Sequence, residues 1–288
     1  MSDFINTIDL LGDNAVFDSM TDKSITEIKD DVVTTIGNYA FTYCKNLTTA
    51  NFPLVTSIGD SAFSSCSKLT TANLPLVTSI GDSAFSNCSS LTTADFPVTT
   101  SIGLGAFNYC SSLTTANFPL VTSIGASAFS YCSKLTTANL PLVTSIGQGA
   151  FNYCSSLTTA NFPLVTSIGQ NTFNGCESLT TADFSLVTSI GQGAFNFCAR
   201  LTMLILRSET IATLSNTDTF NSCFHILGTV NSTYNPTGAK DGYIYVPRAL
   251  VDGYKSATNW SNYASQFRAL EDYTVDGTIT GELDSTKI

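Results

Sequence analysis

Residues 113–134 read LTTANFPLVTSIGASAFSYCSK, and residues 135–156 repeat them as LTTANLPLVTSIGQGAFNYCSS. The same 22-residue unit recurs along most of the chain, and the cysteine near the end of each unit marks the period. Self-similarity at a fixed period of this length predicts a solenoid, in which each copy forms one rung stacked on the next. The marking cysteines are Cys44, Cys66, Cys88, Cys110, Cys132, Cys154, Cys176 and Cys198.

The first half of the repeat has the pattern of a strand. In the segment that ends LTTANF, the last residues alternate, which places Ala50 and Phe52 toward a core and Thr49 and Asn51 toward solvent. A proline follows in six repeats and, having no N–H, ends the strand ladder. We expect no further strand before the glycine that follows isoleucine.

The second half of the repeat predicts a turn and a short helical return. The glycines from Gly37 to Gly191 follow an isoleucine, and we expect each to adopt a positive φ. The A-F-x-x-C pattern that follows places Ala62, Phe63 and Cys66 at helical spacing. The repeat is therefore predicted to be a strand, a turn and a short α- or 3₁₀-helix, which gives an α/β repeat solenoid.

The repeats define the predicted domain organisation. Nine units begin between Ile25 and Leu201, and the last is degenerate, so the solenoid is assigned to residues 25–223. Residues 1–24 are predicted to be an N-terminal helical cap. Residues 224–288 are predicted to be a C-terminal capping module with a strand at 242–247, a helix at 249–270 and a polar tail.

Composition excludes some partners. The formal net charge is −10, which repels phosphate backbones and anionic membrane surfaces. The sequence contains neither a signal-peptide pattern nor an apolar run long enough to span a membrane. A cytoplasmic or virion-associated location is therefore expected from the chain as written.

Three features together resemble the Bacteroides surface protein A (Treponema-type) leucine-rich repeat: the A-F-x-x-C ending, the I-G turn and the strand that ends in F-P or L-P. The Y-I-Y-V-P, A-L-V-D-G-Y-K and T-N-W-S segments of the C-terminal module resemble modules attached to such repeats in gut Firmicutes and their phages. The resemblance implies a leucine-rich-repeat horseshoe or gently curved right-handed solenoid used in adhesion or protein binding. Surface display would follow from this resemblance alone.

Candidate catalytic chemistry is weak in this sequence. The repeat cysteines are expected to be buried thiols, since metal motifs cluster their cysteines and need four converging ligands. His225 lies two residues after Cys223, a spacing at which two side chains do not face each other on a helix. Asp60 and Asp82 each precede a serine and are interpreted as helix N-caps. We therefore predict no enzyme activity, no cofactor and no metal site.

Two surfaces are candidates for binding a protein or glycan partner. The residue before each cysteine varies, and it supplies the predicted anchors Tyr43, Tyr109, Tyr131, Tyr153 and Phe197. The alternative is the regular threonine stripe of the strand face, represented by Thr115, Thr137 and Thr159, which could match a periodic polysaccharide or ice surface. A third interpretation is a structural spacer or phage virion component. The tyrosines could also pack over neighbouring rungs with no role in recognition.

Overall fold

The computed structural model describes residues 16–17, 24–229, 231, 233–234, 236–275 and 278–279. It divides into two compact parts, the N-terminal body (residues 1–157) and the C-terminal body (residues 158–288). The predicted solenoid is confirmed, because equivalent residues of successive repeats pair as parallel strands. The predicted helical cap at residues 1–24 lies outside the described residues except for 16–17 and 24. Val16–Phe17 is a strand.

The first strand of each repeat lies where the sequence predicts it. Pairing is in exact register, so that Thr115 lies beside Thr137 and Ala116 beside Ala138. In the N-terminal body these first-row strands are Glu27–Lys29, Thr49–Asn51, Thr71–Asn73, Thr93–Asp95, Thr115–Asn117 and Thr137–Asn139. Ala50 and Phe52 are fully buried, as the alternation predicts.

A second strand row, which the sequence analysis missed, runs through the Ser-Ile pairs that precede each glycine. Seven two-residue strands form one parallel sheet in the N-terminal body. They are Val16–Phe17, Thr35–Ile36, Ser57–Ile58, Ser79–Ile80, Ser101–Ile102, Ser123–Ile124 and Ser145–Ile146. From Glu27–Lys29 onward, each rung of this body therefore contributes to two strand rows, joined by a bend that contains a proline in the five repeats from Pro53 to Pro141.

The predicted helical return is wrong. Residues 24–216 contain no helix, and each return is a series of turns. Backbone N–H groups of the return donate to the next rung, as from Phe107 to the Ala128 carbonyl at 2.8 Å. The returns therefore stack with ladder bonds, as the strands do, and not at the wider spacing expected of helices. These stacked turns bury alanine, phenylalanine and cysteine at the same sequence spacing as a helix would.

The core consists of columns of identical side chains. Phe63, Phe85 and Phe107 are fully buried, and their ring centroids lie 5.1 and 5.2 Å apart in stacked pairs. All nine cysteines are buried thiols, as predicted. Cys110 Sγ donates to the Phe85 carbonyl at 3.1 Å, so the thiol column is tied to the backbone of a neighbouring rung.

Alkaline pH is expected to destabilise this core. Burial raises the pKa of the Cys110 thiol from 9.0 to about 12, and burial raises the pKa of Cys88 and Cys132 in the same direction. The folded state therefore holds protons that the unfolded chain loses above pH 9, and stability falls as pH rises from about 9 toward 12. Cys110 alone accounts for up to about 4 kcal/mol of this loss.

Urea unfolding at pH 7 and at about pH 10.5 measures this effect. A Cys110→Ser control retains a hydroxyl donor for the Phe85 carbonyl without an ionising thiol, and it should show a smaller difference between the two pH values. An unfolding free energy that is equal at both pH values would contradict the assignment.

The invariant glycines do not have the positive φ predicted for them. A Cβ added to Gly125 would lie 2.5 Å from the carbonyl carbon of Gly103 and the amide nitrogen of Leu104. Glycine is therefore required because the backbones of adjacent rungs touch there. Positive φ occurs two residues later, at Gly105 and Ser127, and again at the residue before each cysteine.

The C-terminal body repeats this architecture and then changes it. Its first-row sheet contains the strands Thr159–Asn161, Thr181–Phe184, Met203–Leu206, Tyr243–Val246 and Phe267–Ala269. Its second row contains Ser167–Ile168, Ser189–Ile190 and Thr213–Leu214. The last two strands of the first row belong to the predicted C-terminal module, so this module extends the solenoid sheet in parallel.

The helices of the C-terminal body are short. They are Thr217–Phe220, Phe224–Leu227, Arg248–Leu250, Val251–Ser256, Trp260–Gln266 and Leu270–Asp272. The single helix predicted at 249–270 is thus broken, and its end is the strand Phe267–Ala269. Thr274–Val275 and Thr278–Ile279 form an antiparallel pair in the predicted polar tail. In the described part of the chain, no helix is long and apolar enough to cross a membrane.

Candidate binding surface

Three of the predicted anchors form a tyrosine row, which we define as Tyr109, Tyr131 and Tyr153. Each side chain leaves the return at the residue before a buried cysteine. The Tyr109 N–H donates to the Ser130 carbonyl at 2.9 Å, and the Tyr131 N–H donates to the Asn152 carbonyl at 2.8 Å. The return ladder thus fixes the three Cα positions in line before the side chains make any contact.

The rings of the tyrosine row stack on one another and remain partly open to solvent. The centroids of Tyr109 and Tyr131 are 4.5 Å apart with an interplanar angle of 4°, and those of Tyr131 and Tyr153 are 4.8 Å apart at 12°. The exposed fractions are 45%, 37% and 38% along the row. The rings therefore pack on each other along the rung axis while their outer edges stay accessible.

Each residue of the tyrosine row has a backbone conformation that bulky side chains rarely adopt. The φ angles are 59°, 61° and 56° for Tyr109, Tyr131 and Tyr153. A non-glycine residue in this region costs roughly 1–2 kcal/mol. Equivalent positions hold Asn87 and Gly175, which tolerate positive φ better, so the turn itself does not require an aromatic residue.

The hydroxyl groups of the row influence one another. Partial desolvation, together with the neighbouring hydroxyls of Tyr109 and Tyr153, raises the pKa of Tyr131 above its usual value of 10.0. The Tyr131 hydroxyl also shares a hydrogen bond with Tyr109, and at neutral pH it is protonated, as any tyrosine hydroxyl is.

The other two predicted anchors are not members of this row. Tyr43 is 61% exposed, and Ser65 and Asn87 occupy the equivalent positions of the two repeats between it and Tyr109. Phe197 belongs to the C-terminal body and is 49% exposed. The structure thus brings three of the five predicted residues into one cluster.

The tyrosine row lies in a stretch of sequence almost without charge. Residues 96–176 contain no aspartate or glutamate, and their one basic residue is Lys134. The whole chain nevertheless has a formal net charge of −10. We call residues 96–176 the neutral band. Interface cores in proteins are typically poor in charge, and this stretch shares that property and contains the three tyrosines of the row.

The alternative threonine face is ordered by its own hydrogen bonds. Asn117 Nδ2 donates to Asp95 at 2.8 Å, and Asn139 Nδ2 donates to Asn117 at 2.7 Å, as expected for stacked amides. Thr115 and Thr137 lie side by side in register, whereas Thr159 pairs with Thr181 in the C-terminal body. The asparagine amides of this face are therefore already used within the solenoid.

The acidic pair has a different role from the predicted helix N-caps. Asp60 Oδ1 accepts from the backbone N–H of Asp82 at 2.9 Å, and Asp82 Oδ1 accepts from that of Leu104 at 2.7 Å. Each carboxylate thus satisfies the backbone of the following rung. No helix begins there, so the N-cap interpretation is wrong.

His225 and Cys223 have separate partners. Cys223 Sγ donates to the Phe195 carbonyl at 3.0 Å. His225 Nδ1 contacts Asp241 at 2.6 Å and its Nε2 contacts the Tyr234 carbonyl at 3.0 Å, so the imidazole links two parts of the C-terminal module. Across the described residues, no three His, Cys, Asp or Glu side chains are placed to share a metal ion.

Sequence reasoning missed an exposed leucine ridge at the bend after the proline, which is present in four of the five proline-containing repeats of the N-terminal body. In the N-terminal body this ridge includes Leu54, Leu76, Leu120 and Leu142, each more than 40% exposed. The P-L dipeptide recurs in the sequence, but its outward direction depends on the second strand row. Sequence alternation alone therefore could not have shown it.

The family comparison agrees with this architecture. A model described as the BspA type leucine rich repeat region matches residues 13–136 and 122–235, with six copies. The chain belongs to the BspA-type leucine-rich repeat family. The predicted family is thereby confirmed, and it supports a repeat-based binding scaffold. The match ends at residue 235, so the resemblance of the C-terminal module to modules of gut Firmicutes and phages stays a prediction.

Solved structures similar to this BspA-type chain come from several bacteria. A leucine-rich repeat protein of Treponema pallidum is 26% identical, with 64% of this chain and 80% of that chain covered and a TM-score of 0.45. One from Bacteroides ovatus is 17% identical, with 93% of each chain covered and a TM-score of 0.41. The pneumococcal vaccine antigen PcpA is 17% identical over 86% of this chain and 67% of its own, with a TM-score of 0.47. A search of curated proteins found no match.

Proposed function

We propose that this chain is a non-enzymatic adhesion scaffold and that the tyrosine row is its recognition surface for a protein or glycan partner. One observation carries the proposal: three half-exposed tyrosines stack on consecutive rungs in a backbone conformation that disfavours them. Strained residues persist where the surrounding structure holds them, and they concentrate at functional sites.

Stacking alone explains the row less well than recognition does. An aromatic pair contributes about 0.5–1.5 kcal/mol beyond its buried area, and this is offset by a strain of similar size at each φ. Asparagine or glycine at the same position would remove most of that strain, as at Asn87 and Gly175. Stacking and strain therefore nearly cancel in the free energy of folding, so folding does not explain why tyrosine occupies these positions. We attribute the choice of tyrosine to what the surface contacts.

The surroundings favour a neutral partner surface. The neutral band offers no acidic side chain to bind a cation, and Lys134 is its one cation for an anionic ligand. Tyrosine supplies apolar area together with a hydrogen-bonding hydroxyl, and this combination is common among residues that dominate binding energies. The proposed contact is therefore made through edges and hydroxyls instead of through ion pairs.

The test compares three forms of the full chain on an array of glycans and host-surface proteins. We expect Tyr109→Ser, Tyr131→Ser and Tyr153→Ser together to reduce binding at least tenfold, since each anchor contributes at least about 1 kcal/mol. Serine is native at the equivalent position 65, with φ 62°, so the fold should tolerate the change.

A second variant serves as the control for the threonine stripe. Thr115→Val, Thr137→Val and Thr159→Val keep the strand shape and remove three hydroxyls from the threonine stripe. Binding that survives the tyrosine changes but disappears with the valine changes would move recognition to the strand face and favour a periodic ligand. Binding that neither triple variant weakens would leave the tyrosine row without this role.

A further inference from the structure

We infer that the partner of the tyrosine row is a second copy of this chain, bound through a two-fold contact centred on Tyr131. This inference rests on the proposed recognition role of the row and names its occupant. In such a contact Tyr131 faces its own copy, while Tyr109 of each chain faces Tyr153 of the other.

The ring geometry disfavours a sugar as the occupant. Aromatic residues hold sugars with their ring faces, whereas both faces of Tyr131 are covered by its neighbours at 4.5 and 4.8 Å. The central member of the row therefore presents a ring edge and a hydroxyl. An aromatic edge is electropositive and packs well against another aromatic group, so the exposed features suit a second row of the same kind.

The hydroxyl row is complementary to itself. A phenol group both donates and accepts a hydrogen bond, so equal hydroxyls at equal spacing can pair without any other chemistry. A tyrosine hydroxyl is protonated at neutral pH, so each member of the row keeps its donor. A row of lysines or aspartates at the same spacing would repel its own copy.

The sequence around the row has the symmetry that a two-fold contact requires. The returns on either side of Tyr131 read GLGAFNYCSS at 103–112 and GQGAFNYCSS at 147–156, and they differ only at Leu104 and Gln148. A two-fold axis through the central rung therefore places nearly identical surfaces opposite each other. In the sequence, the tyrosine position is Asn87 in the preceding repeat and Gly175 in the following one, so the run of tyrosines is bounded on each side by a residue that is not aromatic.

The distribution of charged residues also favours a contact at the tyrosine row. Two chains of net charge −10 repel each other, and within the N-terminal body residues 96–157 carry no acidic side chain and a single basic one, Lys134. The contact spans three rungs, whereas a standard interface buries about 800 Å² per partner. We therefore expect a weak dimer, with a Kd on the order of 100 µM, that becomes stronger as salt screens the net charges.

Sedimentation equilibrium of the full chain tests the inference between about 10 and 500 µM. We expect the average mass to rise above the monomer mass of 30.6 kDa as concentration increases. We also expect association to strengthen between about 0.05 and 0.5 M NaCl.

The variant Tyr131→Ser should weaken association at least tenfold with an unchanged circular dichroism spectrum. A matched control is Tyr39→Ser with Tyr43→Ser, which removes two more exposed tyrosines of positive φ and should leave association unchanged.

Three results would overturn the inference. They are a monomer across the whole range, association that Tyr131→Ser leaves intact, and equal weakening by the control variant. The array experiment separates this failure from that of the proposed function. A monomeric chain whose array binding still depends on the tyrosine row keeps its recognition surface and loses only the second copy as occupant.

Discussion

A chain that ends at Cys223 is expected to aggregate. The strand Met203–Leu206 would lose its parallel neighbour Tyr243–Val246, which leaves a row of backbone donors and acceptors open beside apolar side chains. Open strand edges of this kind associate with other chains. Size-exclusion chromatography with light scattering should show soluble aggregates or loss of the protein from solution.

The expected effect is large because the removed module is bonded into the last repeat. Trp260 Nε1 donates to the Ala212 carbonyl at 2.6 Å, and the Ala212 N–H donates to the Tyr254 hydroxyl at 2.8 Å. Trp260 and Tyr254 are both fully buried. Their loss exposes Phe220, which packs against Trp260.

A chain that ends at Tyr273 is the control, since it keeps this cluster and both added strands. It should stay monomeric at low concentration. If the chain that ends at Cys223 were equally monomeric, with an unchanged melting temperature, the module would be an independent appendage and not a cap.

The second large effect is expected from a single methyl group. Gly125→Ala places a Cβ 2.5 Å from backbone atoms of Gly103 and Leu104, which cannot move without shifting a rung. We expect a loss of about 3–5 kcal/mol, at the upper end for single substitutions. Urea unfolding of the full chain measures it.

Gly105→Ala is the matched control within the same region. Its φ is +60°, but the nearest atom to an added Cβ is the Ser83 hydroxyl oxygen at 3.5 Å. The cost should therefore be limited to the backbone strain of about 1 kcal/mol. A Gly105→Ala variant that loses as much stability as Gly125→Ala would refute the argument that rung contact selects the invariant glycine.

These two glycines also show what sequence could and could not predict about the fold. The period predicts the stacking, and alternation predicts that Ala50 and Phe52 are buried. The period follows from comparing the repeats with one another, and the alternation follows from one repeat read by itself. The role of Gly125 depends on the distance between neighbouring rungs, and a single repeat contains no information about that distance. For this reason the glycine was predicted to be required by a positive φ and not by contact between rungs.

The return segments were mistaken for helices for a related reason. Alanine, phenylalanine and cysteine at the spacing of Ala62, Phe63 and Cys66 fit one helical face. The structure satisfies these backbones across rungs instead, as when Phe63 N–H donates to the Ala84 carbonyl at 2.7 Å. Hydrogen bonds between repeats leave no trace in the side-chain pattern, which is the same for both conformations.

The candidate site was predictable in composition but not in geometry. Variation at the position before each cysteine singled out Tyr109, Tyr131 and Tyr153. Their close stacking follows from the return ladder, which a helical return would not have produced. Tyr43 and Phe197 were included because they are aromatic, and the structure places neither in the row.

Chemical nitration of tyrosines tests the central claim, that the tyrosine row is the recognition surface, most directly. The full chain is nitrated alone and in complex with the array component that it binds, and each tyrosine is quantified by mass spectrometry. We predict protection of Tyr109, Tyr131 and Tyr153 in the complex, while Tyr39 and Tyr43 react equally in both samples. Equal nitration of the row with and without the bound component would contradict the account.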